Sequence, residues 1–202
     1  MRLNKEFYKQ DAVTVAENLV GKLLVRKLKG KEIICRIVET EAYRGIKDKG
    51  SHAYNNRRTA RTEMMYKEGG HAYIYLIYGM YYCFNVVTNE KECPDAVLIR
   101  AVEPLTTLDI IKENRKIKSK KLEDLTNGPG KLCQALAIDK SFNYHNLIKS
   151  DQLYIIKDEK EKDKDKNKEQ VIADKRINID YAEEYKDKMW RFYLKDNSFV
   201  ST

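Results

Sequence analysis

Two glutamates and a tyrosine at alternate positions are the first residues in this chain whose type and spacing could do chemistry. In the stretch RIVETEAY, period-two alternation puts Ile37, Glu39, Glu41 and Tyr43 on one face of a strand and Val38, Thr40 and Ala42 on the other. Carboxylates beside an aromatic, at the end of an otherwise apolar strand, suit acid/base work. The competing reading is a plain solvated strand face. His52 follows eleven residues after Glu41 and reads either as a site residue or as a structural histidine. Tyr73, Tyr75, Tyr78, Tyr81 and Tyr82 fall within ten residues. Phenols need hydroxyl partners in a sealed core, so this cluster reads either as an aromatic slot for a flat ring or as a cross-strand ladder. Tyr78, beside Gly79, falls where a hairpin tip would project, and a bulky side chain there could wedge into stacked bases. Arg100 interrupts the apolar run AVLIRAV. A buried arginine needs an anion, either Glu41 or a phosphate.

These residues require particular elements beneath them. Asp11 and Gly21 frame the stretch AVTVAENLV as a capped helix. KLLVRKL and EIICRIVETEAY, joined by KGK, predict a β-hairpin. HAYIYLIYGMYYCFNVV predicts two strands broken near Tyr78, Gly79 and Met80. DAVLIRAVEP predicts a buried strand ended by Pro104. Thr106 or Thr107 is expected to cap a helix through LDIIKENRK. NGPGKLCQALAI predicts a Gly-Pro loop opening a helix, where backbone N–H groups and Lys131 could hold a phosphate; the spacing is not that of a P-loop. MWRFYL is expected to return to the core as a last strand. Mixed strands and helices without a βαβ rhythm indicate an α+β fold.

Length and charge set the outer limits. A chain of 202 residues fits one domain with a real core. A net charge of +8 makes nucleic acid or an anionic membrane surface a candidate partner. Residues 157–170 hold six lysines and six acids, so the net charge lies outside this low-complexity insert, which reads as a solvated loop or extended hairpin tip. The start of the chain carries no signal-peptide pattern. The run of residues 72–87, interrupted by five tyrosines and a glycine, is too short to span a membrane. A cytoplasmic location is therefore expected. The four cysteines and three histidines show neither CxxC nor HExxH spacing, so neither metal nor disulfides are expected, and the cysteines are expected to be reduced core residues. The arginine-bearing loop of residues 55–61 has no acid to balance it. A carboxylate, an aromatic slot, a projecting aromatic and basic loops together describe an enzyme that extracts a base from DNA. A nucleic-acid-binding module without chemistry, and a small-molecule transferase or hydrolase using Glu41, are the competing readings.

At these residues the sequence resembles the alkyladenine (3-methyladenine) DNA glycosylase family of the mammalian type. The resemblance runs in order through LVGKLLVRKL, RIVETEAYRG, SHAY, the RRTAR loop, YIYLIYGMYYCFNV, VLIRAVEPL, NGPGKLCQALAIDKSF and RFYLKDNSFVS. That covers nearly all the chain apart from the charged insert; a short loop at residues 91–95 also departs from the pattern. The resemblance implies one mixed domain around a curved antiparallel β-sheet with flanking helices. It implies a monofunctional glycosylase with no cofactor and no metal, acting as a monomer on damaged double-stranded DNA. It implies that Glu41 activates the attacking water and that Arg100 helps hold that water. Tyr43, His52 and Tyr75 would form walls of the base pocket, Asn85 would guard against guanine, and Tyr78 would be the intercalating wedge. Arg57, Arg58, Thr59, Arg61 and Lys131 are the candidate phosphate contacts.

Overall fold

The computed structural model describes residues 1–159 and 170–201. Most of the charged insert therefore lies outside the described residues. Among the described residues, eight strands form one antiparallel sheet: β1 (Leu23–Leu28), β2 (Lys31–Arg44), β3 (Ala72–Ile77), β4 (Tyr81–Thr88), β5 (Asp95–Pro104), β6 (Leu153–Ile156), β7 (Val171–Asp174) and β8 (Arg191–Leu194). The main order is β3-β4-β5-β2-β1-β6. β2 is its spine. One edge pairs with β5. The other pairs first with β1 and then, from Glu39 to Glu41, with β8, which also pairs β7.

Both expected hairpins form, and local turn chemistry explains why. β1 and β2 join through Lys29 and Gly30, both at positive φ, so the turn twist matches the strands. β3 and β4 join through Tyr78, Gly79 and Met80, with Tyr78 and Gly79 at positive φ. The flanking helices are α1 (Lys5–Tyr8), α2 (Ala12–Leu19), α3 (Leu108–Arg115) and α4 (Pro129–Ala135). Asp11 caps α2 by accepting from the Val13 and Thr14 amides, and Gly21 follows at φ 87°. Pro129 opens α4.

Alternation then divides the sheet into two faces. Ala72, Ile74, Phe84, Val86, Val97 and Ile99 belong to the main core, against which α2 packs on β2 and β5, and α4 packs on β4 and β5. The residues between them, including Tyr73, Val87 and Ala96, join a smaller cluster with Ala53, Met64, Met65 and Tyr66. All the predicted strand-borne site residues except the hairpin-tip Tyr78 fall on this second face.

Three local expectations are corrected. Ile37 does not share the face of the glutamates: a bulge between Ile37 and Thr40 shifts the alternation, and Ile37, Val38 and Ala42 all lie in the main core. Thr107 stands at the N-cap of α3 but makes no capping bond. Its hydroxyl donates instead to the Glu32 carbonyl, and the Thr106 hydroxyl accepts from the Ile34 amide, so both threonines tie the helix start to β2. Cys35, Cys83 and Cys133 are buried as expected, but Cys93 is exposed. Among the described residues no helix is long and apolar enough to cross a membrane.

Candidate active site

Register across four strands builds the site. Tyr73 faces Asn85, Asn85 faces Leu98, and Leu98 faces Glu41. Residues paired in this way point to the same side of a sheet. One row therefore carries an aromatic, an amide and a carboxylate across the second face. Tyr43 and Tyr75 stand two residues further along their own strands, on that face.

The carboxylates are not solvated. Glu39 and Glu41 are both fully buried, which removes the plain-surface reading of RIVETEAY. Burial of a charge demands partners, and each has them. Glu41 Oε1 accepts the Ile177 amide at 2.7 Å and lies 3.3 Å from Arg100 Nη1. Its Oε2 accepts the Tyr43 hydroxyl at 2.8 Å. Glu39 Oε1 accepts from Arg100 Nε at 3.3 Å and from Arg191 Nη1 at 3.0 Å, and its Oε2 accepts the Ser201 amide at 2.8 Å. The anion sought for Arg100 is thus a pair of glutamates. Burial works against the Arg100 charge, but the Glu41 and Glu39 carboxylates outweigh it and hold its pKa above the ordinary arginine value.

Beside this network is a pocket, partly open to solvent, lined by Tyr43, His52, Tyr73, Tyr75, Asn85 and Tyr181 among others. All four residues expected to form the base pocket are therefore brought together. Burial, then the Glu41 charge, raises the Tyr43 phenol well above its ordinary range, so it stays protonated and donates. The rings of Tyr73 and Tyr75 lie 5.5 Å apart, and His52 meets Tyr75 edge-on at 4.6 Å. His52 Nδ1 is 2.9 Å from the Tyr73 hydroxyl. Burial, then the charges of Arg61 and Arg57, lowers His52 to about 4. It is neutral at physiological pH, with Nε2 free to accept from Arg61 Nη2 at 3.3 Å. The Asn85 side-chain amide donates to the Tyr73 and Cys83 carbonyls at 3.1 and 3.4 Å. Both neighbours are acceptors, so the amide nitrogen must face them and the group cannot swing aside.

The other predicted contacts are distributed around this pocket. Tyr78 is 77% exposed at the β3–β4 tip, outside the pocket. Arg57 is exposed, and among the described residues its side chain makes no ion pair. Arg58 is held by Glu63 through two bonds of 2.8 Å and by Glu92 at 2.5 Å, and it lies over the Tyr66 ring. Thr59 exchanges hydrogen bonds with Thr62, which ties the loop to itself. Arg61 sits at the pocket rim, 5.0 Å from the Tyr75 ring centroid. Lys131 donates to Asn127 Oδ1 at 2.6 Å, and α4 has only seven residues. Among the described residues no group of three or more His, Cys, Asp or Glu could hold a metal ion.

Sequence reasoning missed four contributors. Tyr181 lines the pocket mouth. The Ile177 amide holds Glu41. Arg176 and Asp48 form a fully buried ion pair behind the site. Arg176 lies in DKRINID, beside Asp174 and Lys175, so no local pattern set it apart as AVLIRAV set apart Arg100.

The sequence pattern of the family described as Methylpurine-DNA glycosylase (MPG) matches residues 6–198. A protein of Natranaerobius thermophilus named "Putative 3-methyladenine DNA glycosylase" is 58% identical over 201 residues, covering 100% of this chain and 99% of that protein. Proteins of the same name from Clostridium novyi and Desulfitobacterium hafniense are each 48% identical over 206 residues, covering 99% of this chain and 98% of theirs. The chain therefore belongs to the methylpurine-DNA glycosylase family: it is a DNA glycosylase, an enzyme of DNA repair.

Proposed function

We propose that this enzyme flips alkylated or deaminated purines, of the 3-methyladenine, 7-methylguanine, hypoxanthine and ethenoadenine class, out of duplex DNA and hydrolyses their N-glycosidic bond with a water activated by Glu41. The observation that carries this reading is a buried carboxylate bonded to one wall of an aromatic pocket, Glu41 to Tyr43 at 2.8 Å.

The N-glycosidic bond breaks through an oxocarbenium-like sugar, and its electron pair leaves with the base. The water oxygen forms the new bond to the anomeric carbon while Glu41 takes the proton. The Glu41 charge also stabilises the developing positive charge on the sugar. Arg100 and the Ile177 amide fix the carboxylate for this work. Tyr43, Tyr75 and His52 offer ring faces and edges to a flat purine. An alkylated purine is cationic, so it stacks well on tyrosine and leaves readily; a neutral lesion needs a proton or a hydrogen bond as it departs. Asn85, locked to two carbonyls, would clash with the exocyclic amino group of guanine.

Flipping costs a few kcal/mol, and least where pairing is already weak. Tyr78 at the hairpin tip fills the gap left in the stack. Arg57, Arg58, Thr59, Arg61 and Lys131 contact phosphates and give affinity without sequence preference. The chain acts as one domain and as a monomer, since a single lesion calls for no symmetry. The relatives are bacterial, and the enzyme works in the cytoplasm, where its DNA is.

The test is a duplex containing hypoxanthine, incubated with the protein and then with hot alkali. Strand cleavage at the lesion only after alkali supports a monofunctional glycosylase. Absence of abasic sites in duplexes carrying each lesion class contradicts the reading.

A further inference from the structure

Behind the Tyr43 wall lies a buried ion pair that the proposed chemistry does not use directly. The side chains of Arg176 and Asp48 are fully buried. They meet through two parallel bonds, Nη1 to Oδ2 at 2.5 Å and Nη2 to Oδ1 at 2.8 Å. Arg176 Nη1 also donates to the Ala42 carbonyl at 2.9 Å, between Glu41 and Tyr43 in β2, and Nη2 donates to the Tyr185 carbonyl at 3.2 Å. Its guanidinium carbon lies 4.7 Å from the centre of the Tyr43 ring and 5.1 Å from that of Trp190. Tyr43 lines the pocket and Arg176 does not, so the guanidinium braces the ring from outside.

Two further bonds connect this pair to the reacting groups. The residue after Arg176 is Ile177, whose amide donates to Glu41 Oε1 at 2.7 Å. Asp48 accepts the Gly50 amide at 2.9 Å and the Arg44 amide at 3.2 Å, shaping the loop that brings Gly50, Ser51 and His52 to the pocket. The pair therefore ties together the carboxylate, one aromatic wall and the loop bearing another wall. A buried ion pair adds little stability over an apolar replacement. This one also leaves Arg176 Nε without a hydrogen-bond partner among the described residues. Its consequence is geometric.

We propose that Arg176, clamped by Asp48, is a positioning residue for base excision, holding the Ile177 amide on Glu41 and the Tyr43 ring at the pocket edge. The inference rests on the glycosylase reading of this site. Arg176→Lys keeps the charge but loses the planar fork that makes the four bonds and the ring contact. Asp48→Asn keeps the shape but loses the charge. Single-turnover excision of hypoxanthine is measured for both variants with enzyme in excess. The Kd is measured on a duplex carrying a tetrahydrofuran abasic analogue. Both are read at a temperature where circular dichroism shows each variant folded.

Excision about tenfold slower or more, with unchanged Kd, is expected, because small misplacements of reacting groups are costly in rate. A purely structural role predicts that the folded variant regains the wild-type rate on cooling, and that result overturns the inference. Should Arg176→Lys fail to fold, Asp48→Asn decides alone: the wild-type rate in that folded variant overturns the inference. Wild-type protein that excises nothing overturns the glycosylase reading itself, whereas active wild type with equally active variants overturns only the role of Arg176.

Discussion

The Tyr43 hydroxyl donates to Glu41 Oε2 at 2.8 Å, so a wall of the pocket and the proposed water-activating carboxylate form one unit. A hydrogen bond to a charged group is worth about 1.5–3 kcal/mol. Tyr43→Phe keeps the ring and removes this bond. Single-turnover excision should fall by roughly ten- to a hundredfold, nearer the lower figure because the Ile177 amide and Arg100 remain on Glu41. Affinity for abasic-analogue DNA should not change. An unchanged excision rate would separate the wall from the carboxylate.

His52 makes stability depend on pH. Its pKa is lowered to about 4 by burial and by the charges of Arg61 and Arg57, against about 6.5 for an unfolded histidine. Between these values the unfolded chain binds the proton and the folded chain does not. The contribution is therefore complete above pH 6.5 and is lost as pH falls toward 4, with a ceiling of about 3 kcal/mol. Urea unfolding at pH 7 and pH 4.5 should show a smaller pH difference for His52→Gln than for wild type. Equal differences in the two proteins would refute the assignment.

Binding should weaken steeply with salt, but the loop arginines should not contribute equally. Arg58 is neutralised by Glu63 and Glu92, whereas Arg57 makes no ion pair among the described residues. Arg57→Ala should lower the slope of log K against log salt by about one. Arg58→Ala should change it much less. Matching slopes for the two variants would show that Arg58 exchanges its carboxylates for phosphate.

Tyr78 tests the wedge. It projects from the β3–β4 tip, while Tyr75 lines the pocket. Tyr78→Ala should slow excision from paired duplex more than from a bulge, where unstacking already costs less. Tyr75→Ala should slow both. Equal losses for Tyr78→Ala in the two substrates would leave it a surface aromatic.

Much of this arrangement was legible because it is local. The two hairpins follow from strand alternation interrupted by turn residues, and the α2 cap follows from Asp11 alone. Alternation also put Glu39, Glu41 and Tyr43 on one face. It failed two residues earlier, at Ile37, because Val38 is an extra residue between the Ile37–Val102 and Glu39–Ala101 pairs, which no local pattern announces. Whether the glutamate face was solvated depended on strands that arrive later in the chain, β5 and β8. Arg58 read as an unbalanced cation because both its partners lie outside the 55–61 loop, Glu63 five residues on and Glu92 34 residues away. The Arg176–Asp48 pair joins residues 128 apart, and the Ile177 amide carries no side-chain signature at all.

The central claim is that the Glu41 carboxylate performs the chemical step. Its most direct test is Glu41→Gln in single-turnover excision of hypoxanthine from duplex DNA, with binding to the same duplex measured in parallel. General-base catalysis contributes about 10²–10⁴-fold, so the rate should fall by at least that order while lesion binding persists. Excision by the variant at near the wild-type rate would contradict the account.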